Sequence, residues 1–213
     1  MGKRDGGGVA LAVQGDVSDA ASCAEIVAAA RSHHGSVGVL VNNAMWTHFA
    51  PIKDLAVKRW QLCFAVNVQG PFRLSQLVLP DMIARRSGAI VNISSNGSIG
   101  PRRGPYQPAA ATCWDTTGVA SRTMYGVSVS CVAPSVGVAT GGNIHYKLFK
   151  APDDPRAEPL SHMTRAALLL AMQPLVEVTG RVTYGRAILK EFGWINDAKG
   201  FGVTEPGSGF SQI

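Results

Sequence analysis

Residues 88–95 read Gly-Ala-Ile-Val-Asn-Ile-Ser-Ser. An apolar run this short, without polar alternation, predicts a strand buried on both faces, as in a parallel sheet covered by helices. The same pattern recurs on either side. Upstream, Val37-Gly-Val-Leu-Val41 ends in Asn42-Asn43-Ala44-Met45, and Val9-Ala-Leu-Ala-Val13 ends in Gly15-Asp16-Val17. Downstream, Val127-Ser-Val-Ser-Cys-Val-Ala133 ends at Pro134, and Gly180-Arg-Val-Thr-Tyr184 is a last short run. Helical stretches separate them. Ala20–Arg31 is alanine-rich, with Ser18 as its N-cap. Pro51 to about Met82 is helical, broken near Gly70-Pro71 and closing at Pro80. Thr116–Tyr125 is a short helix, and Ser161 caps another through Met172. Asn96–Pro108 predicts a loop, and a loose segment runs to Pro159. The alternation predicts a three-layer α/β sandwich around a mostly parallel sheet. Functional residues then gather beyond the carboxyl ends of the strands, where Asp16, Asn43, Ser95 and Pro134 fall.

Composition narrows the class. The 213 residues suit one domain, assigned to 1–190, followed by a Gly-rich tail over 191–213. Hydrophobic residues make up 46%, enough for a sizeable core. The four cysteines, Cys23, Cys63, Cys113 and Cys131, include no C-x-x-C, which argues against zinc or a disulfide framework and for a reducing, cytoplasmic setting. The five histidines have no ligand-spaced partners, so no metal site is expected. No apolar run approaches the roughly 18 residues of a membrane span. The net charge of +6 comes as short pairs, Lys3-Arg4, Arg85-Arg86 and Arg102-Arg103, which suits a solvated surface and not a nucleic-acid groove.

The strand ends carry a resemblance to the short-chain dehydrogenase/reductase family. Asp16-Val17 is similar to that family's adenine-contacting pair. Asn42-Asn43-Ala44-Met45 resembles its Asn-Asn-Ala-Gly turn, with Met for Gly. Asn67 falls at its active-site helix asparagine, Ser95 at its catalytic serine, and Pro134-Ser135 at its Pro-Gly turn beside the nicotinamide. Several segments agree in order, which outweighs any single motif. The segments 161–172 and 180–194 are most similar to the bacterial citronellol dehydrogenase-like members. The resemblance implies a Rossmann-like sheet and hydride transfer between an alcohol or carbonyl substrate and NAD or NADP. It implies Asp16, Val17, Asn43, Ala44, Met45, Pro134 and Ser135 as cofactor contacts. Family members commonly associate through long helices, which leaves a homo-oligomer open.

Two parts of the family pattern are missing. The Gly-rich turn after the first strand, which brings backbone N–H groups to the pyrophosphate, follows no strand here. The chain therefore resembles a member lacking its first two strands, and the residue that selects NAD or NADP is absent with them. In the family order 3-2-1-4-5-6-7, that loss leaves Val9–Val13 without its neighbour. Either it pairs with Val37–Val41 or the isolated chain folds poorly. The second gap is the lysine of Tyr-x-x-x-Lys, which lowers the tyrosine pKa and holds the nicotinamide ribose. Tyr106 is the candidate tyrosine, but Ala110 stands four residues beyond it, and no lysine lies between Lys58 and Lys147. Tyr106 is either the family tyrosine with its lysine lost, or part of a longer loop beside a deleted Tyr-x-x-x-Lys turn. Pro108 in the expected helix start weighs against the former. An unassisted tyrosine, with pKa about 10, is ionised in roughly one molecule per thousand at pH 7. Impaired hydride transfer is one expectation. A non-catalytic member acting through a binding or subunit surface is the other.

Overall fold

The computed structural model describes residues 2–3, 8–48, 50–95 and 125–205. The elements, in chain order, are β1 (Gly2–Lys3), β2 (Val9–Ala10), α1 (Ala20–His34), β3 (Val39–Asn42), α2 (Val57–Phe64), α3 (Gly70–Arg85), β4 (Gly88–Ile93), β5 (Val127–Ala133), α4 (Gly141–His145), α5 (Leu160–Met172), α6 (Leu175–Val178), β6 (Val182–Tyr184) and α7 (Gly185–Glu191). A 3-10 turn covers Ile52–Asp54, and a π turn, Ala65–Gln69, joins α2 to α3. Four strands form one parallel sheet in the order β3-β4-β5-β6.

Alternating side chains divide the core into the two outer interfaces of the sandwich. On one face Ile90, Val127 and Val129 pack against Cys23 and Val27 of α1 and Val78 and Met82 of α3. On the other, Val91 and Val132 pack against Leu169 and Leu170 of α5 and Ile188 and Leu189 of α7. Burying each such aliphatic side chain contributes about 1.5–3 kcal/mol. This is why β4 and β5 carry unbroken apolar runs, and β4, β5 and α1 start where the sequence places them. The three-layer α/β sandwich with a parallel sheet is confirmed.

Several local expectations are corrected. The cap of α1 is Asp19, whose Oδ2 accepts from the Ser22 N–H at 2.7 Å, and not Ser18. Ser18 instead donates to Asp16 through its N–H and its hydroxyl. The helix after Pro51 begins at Val57 and passes through both prolines to Arg85. Pro71 follows the π turn, where the hydrogen-bond ladder already widens. Pro80 is exposed, while Val78 and Met82 beside it are almost wholly buried; their packing outweighs the lost hydrogen bond. Ser161 does not cap α5, whose N-cap is Pro159 with no side-chain cap. The loose segment before Pro159 contains α4.

Val9–Val13 is the largest departure. Only Val9–Ala10 is strand, and it pairs antiparallel with Gly2–Lys3 and not with β3. Val9 and Val13 are exposed at 48% and 41%. An apolar run is buried only where neighbours cover it, and no described strand of the main sheet adjoins this one. β3 is the outer strand of that sheet among the described residues, with Val39 and Val41 about as exposed as Val9. Residues 192–205 pack back on the domain. Trp194 and Ile195 join the α5–α7 core, and Phe201 stacks near Tyr184 at 6.2 Å.

Candidate functional site

The carboxyl ends of β3, β4 and β5 lie side by side because the strands are parallel and in register, with Asn42 opposite Asn92 and Ile93 opposite Val132. At the β3 end, Asn42 donates through Nδ2 to Asn92 Oδ1 at 2.8 Å, and both side chains are buried. Next along the chain, Asn43, Ala44 and Met45 are exposed. Asn67, on the π turn, faces this loop. Its Oδ1 accepts from the Trp46 N–H at 2.9 Å, and its Nδ2 donates to the Trp46 carbonyl at 2.9 Å and toward Cys63 Sγ at 3.3 Å. One amide thus pairs with both backbone groups of Trp46, whose ring carries Arg59 at 5.8 Å and stacks with His48 at 5.9 Å.

Ala44, Met45, Asn67, Pro71, Asn42, Asn92 and Ile93 enclose a small pocket of about 20 Å³. That is room for one water molecule and not for a cofactor ring. Asn92 Nδ2, in this pocket, and Ser94 Oγ, just past the end of β4, are buried and have no hydrogen-bond partner among the described residues. A larger open cleft of about 520 Å³ lies by β6 and α7, lined by Arg181, Thr183 and Lys190 among others, and none of the described expected site residues borders it.

Ser94 and Ser95 leave the end of β4, Ser94 buried and Ser95 partly so. Pro134 and Ser135 leave β5. Ser135 is fully buried: its Oγ accepts from the Arg186 N–H at 3.1 Å, and its carbonyl accepts from the Phe201 N–H at 2.9 Å. Asp16 is exposed, and the two Ser18 hydrogen bonds hold its carboxyl below the usual range. Val17 is brought against the start of α3 by Gly70, where a Cβ would stand 2.8 Å from the Val17 carbonyl. Arg73 secures the same junction through the Ser18 carbonyl at 2.9 Å. Tyr106, and with it the whole question of the tyrosine and its lysine, lies outside the described residues.

A dinucleotide makes three demands on such a site. For its adenosine end, Asp16 offers an exposed carboxylate able to accept from an amine or hydroxyl. For its nicotinamide end, Ser95 and Pro134, both half-buried, follow the ends of β4 and β5, while Ser135 is fully buried. Its pyrophosphate needs backbone N–H donors. Yet α1, the helix starting nearest Asp16, is closed by the Asp19 carboxylate, and two negative groups there oppose phosphate. Among the described residues Asp16 leaves an exposed carboxylate, the start of α1 is closed to phosphate by Asp19, and the pocket beside Asn67 is too small for a cofactor ring.

Sequence reasoning missed a charged cluster behind the β5 turn, formed by Glu158, His162 and Arg186. Glu158 is 2% exposed, and its Oε2 lies 2.9 Å from Arg186 Nε and 3.6 Å from His162 Nδ1. The Arg186 Nε–H points at His162 Nδ1, at 3.2 Å, so its contact with Oε2 is electrostatic and not a hydrogen bond. Burial pushes the Glu158 carboxyl up despite Arg186, and burial followed by Arg186 and Arg165 pushes His162 down. A glutamate in a Pro-rich segment gives no periodic signal. Asn92 was marked only by being polar inside the apolar run Ile90-Val-Asn-Ile93.

Among the described residues no group of His, Cys, Asp and Glu could hold a metal ion, and no helix is long and apolar enough to cross a membrane. The family model "short chain dehydrogenase" matches residues 2–144. The 3-oxoacyl-acyl-carrier-protein reductase of Staphylococcus aureus is 34% identical over 58% of this chain and 52% of its own. The inactive 2-(S)-hydroxypropyl-CoM dehydrogenase 2 of Xanthobacter autotrophicus is 33% identical over 71% of this chain and 67% of its own. Among solved structures, a putative NAD(P)-dependent gluconate 5-dehydrogenase from Beutenbergia cavernae with bound NADP superposes with TM-score 0.71 at 27% identity, covering 85% of this chain and 77% of that one. The chain spans about half the length of the first curated relatives it matches.

Proposed function

Because the chain belongs to the short-chain dehydrogenase/reductase family, we propose that it carries the substrate side of an NAD(P)-dependent oxidoreductase interconverting alcohol and carbonyl groups, with hydride transfer impaired. What supports this reading is that β3, β4 and β5 end side by side, with Ala44, Met45 and Asn67 bordering one small pocket there and Ser95, Pro134 and Ser135 following β4 and β5 along the chain. That is where an open α/β sheet binds its ligand. A bound nicotinamide supplies or accepts the hydride. Ser95 donates a hydrogen bond to the substrate oxygen, and Tyr106 exchanges the proton with it. Asn67 holds the β3 loop, through Trp46, against the helix facing the reacting atoms. Asp16 takes the adenosine end, with Val17, Asn43, Ala44 and Met45 along the way. The sequence has no lysine four residues after Tyr106, so the proton step slows by several orders of magnitude.

The exposed outer strand β3 favours a second reading, a non-catalytic member acting through that surface. Titration with NADH and NADPH, followed by fluorescence or calorimetry, separates the two. Sub-millimolar binding supports the oxidoreductase. Silence up to the solubility limit removes it.

A further inference from the structure

We propose that Glu158 is a positioning residue for the turn that leaves β5, setting the backbone of Pro134-Ser135-Val136 and through it the seat of the nicotinamide end. The functional part of this inference rests on the oxidoreductase reading above. Three other segments, 158–162, the start of α7 at Arg186, and 199–201, meet at the turn. Glu158 Oε1 accepts from the Val136 N–H at 3.5 Å, and the Ser135 N–H also faces this carboxylate. Arg186 binds Ser135 Oγ through its backbone N–H and places its guanidinium against the carboxylate. His162, from α5, closes the third side. From the fourth, 199–201 straps over the turn. The Lys199 carbonyl accepts from Arg186 at 3.3 Å, and the Phe201 N–H reaches the Ser135 carbonyl. At Gly200, with φ +101°, a Cβ would stand 2.4 Å from the Ser135 carbonyl oxygen, so the strap lies closer than any side chain permits.

Buried ion pairs are poor sources of stability, because desolvation offsets most of the attraction. What a buried carboxylate does well is fix the direction of the N–H groups it accepts from. Here those N–H groups belong to the turn that leaves β5, in which Ser135 is fully buried and Pro134 and Val136 are half-buried. Pro134 has no N–H of its own to fix its path, so the following residues decide where it points.

The test compares the full chain with E158L, E158Q and the double variant E158L/R186M, which leaves no unpaired charge if E158L fails to fold. Amide exchange by mass spectrometry is read for residues 134–138 and, as a control, for β4 and α3. Removing the acceptor is expected to accelerate exchange in 134–138 by about tenfold in E158L or the double variant, with the control segments unchanged. E158Q keeps a carbonyl acceptor and is expected to recover most of the protection. Uniform acceleration everywhere, no acceleration at all, or an E158Q that behaves as E158L overturns the proposal. NADPH titration forms the second arm. E158L weakens binding by about fivefold or more and E158Q restores it. If the wild-type chain binds and E158L binds equally well, the positioning role falls. If the wild-type chain binds no nucleotide, the oxidoreductase reading falls, and the exchange pattern alone still decides whether Glu158 sets the turn.

Discussion

Asn67→Ala separates a locking role for this residue from an ordinary helix position. Asn67 sits in a helical run where alanine is the better former, so local propensity alone predicts a gain of up to about 0.7 kcal/mol. The structure predicts the reverse. The amide makes two hydrogen bonds with the Trp46 backbone, both 2.9 Å. Each contributes about 1 kcal/mol net, and the stranded N–H and carbonyl of a half-buried Trp46 add a further penalty of about 1 kcal/mol. Subtracting the propensity gain leaves a loss of about 2 kcal/mol, or a Tm lower by about 4–8 °C in a chain of this size. Urea and thermal unfolding followed by tryptophan fluorescence measure it, and amide exchange at Trp46 localises it. Asn67→Asp retains the acceptor for the Trp46 N–H but sets a carboxylate against the Trp46 carbonyl, so it should be no more stable than the alanine variant. An Asn67→Ala chain as stable as wild type, with Trp46 exchange unchanged, refutes the lock.

Three further outcomes follow from other contacts. Asp154, whose carboxyl is held well below its usual range by Arg156 and by the Lys150 and Arg156 N–H groups, stabilises the fold above its unfolded pKa of about 4 and loses that contribution as pH falls through its lower folded value. Wild-type Tm should therefore drop on acidification below about pH 4 more steeply than that of Asp154→Asn, and parallel curves would contradict this. Gly70→Val sets a side chain against the Val17 carbonyl and should cost about 1–3 kcal/mol in denaturant unfolding; a neutral effect would show that the Val17–α3 junction yields freely. Leu169→Ala empties a fully buried position between sheet and α5 and should cost about 2–5 kcal/mol, whereas Val176→Ala, 83% exposed on α6, should change stability by under about 0.5 kcal/mol.

Much of the fold was legible because burial on both faces writes itself into composition. β4 and β5 run from Gly88 to Ile93 and from Val127 to Ala133 as their apolar runs require, and α1 opens at Ala20. The family followed from short polar motifs at strand ends, since the chemistry of a sheet's carboxyl edge is confined to a few residues after each strand. Local rules failed where partners distant in sequence overrode them. Pro80 should stop a helix, but the buried side chains of Val78 and Met82 carry α3 past it. Val9–Val13 has the composition of a core strand, but among the described residues no strand of the main sheet adjoins it.

The sequence by itself determined the layered architecture, the family, and Ser95, Pro134 and Asn67 as positions of interest, because these depend on residues adjacent along the chain. Only the tertiary structure decided what holds them. Asn67 spends its amide on Trp46, 21 positions away, and Glu158 faces a turn 22 positions before it and an arginine well after it. No periodicity encodes such contacts; they arise when separate elements are packed to interior density and most buried polar groups find partners.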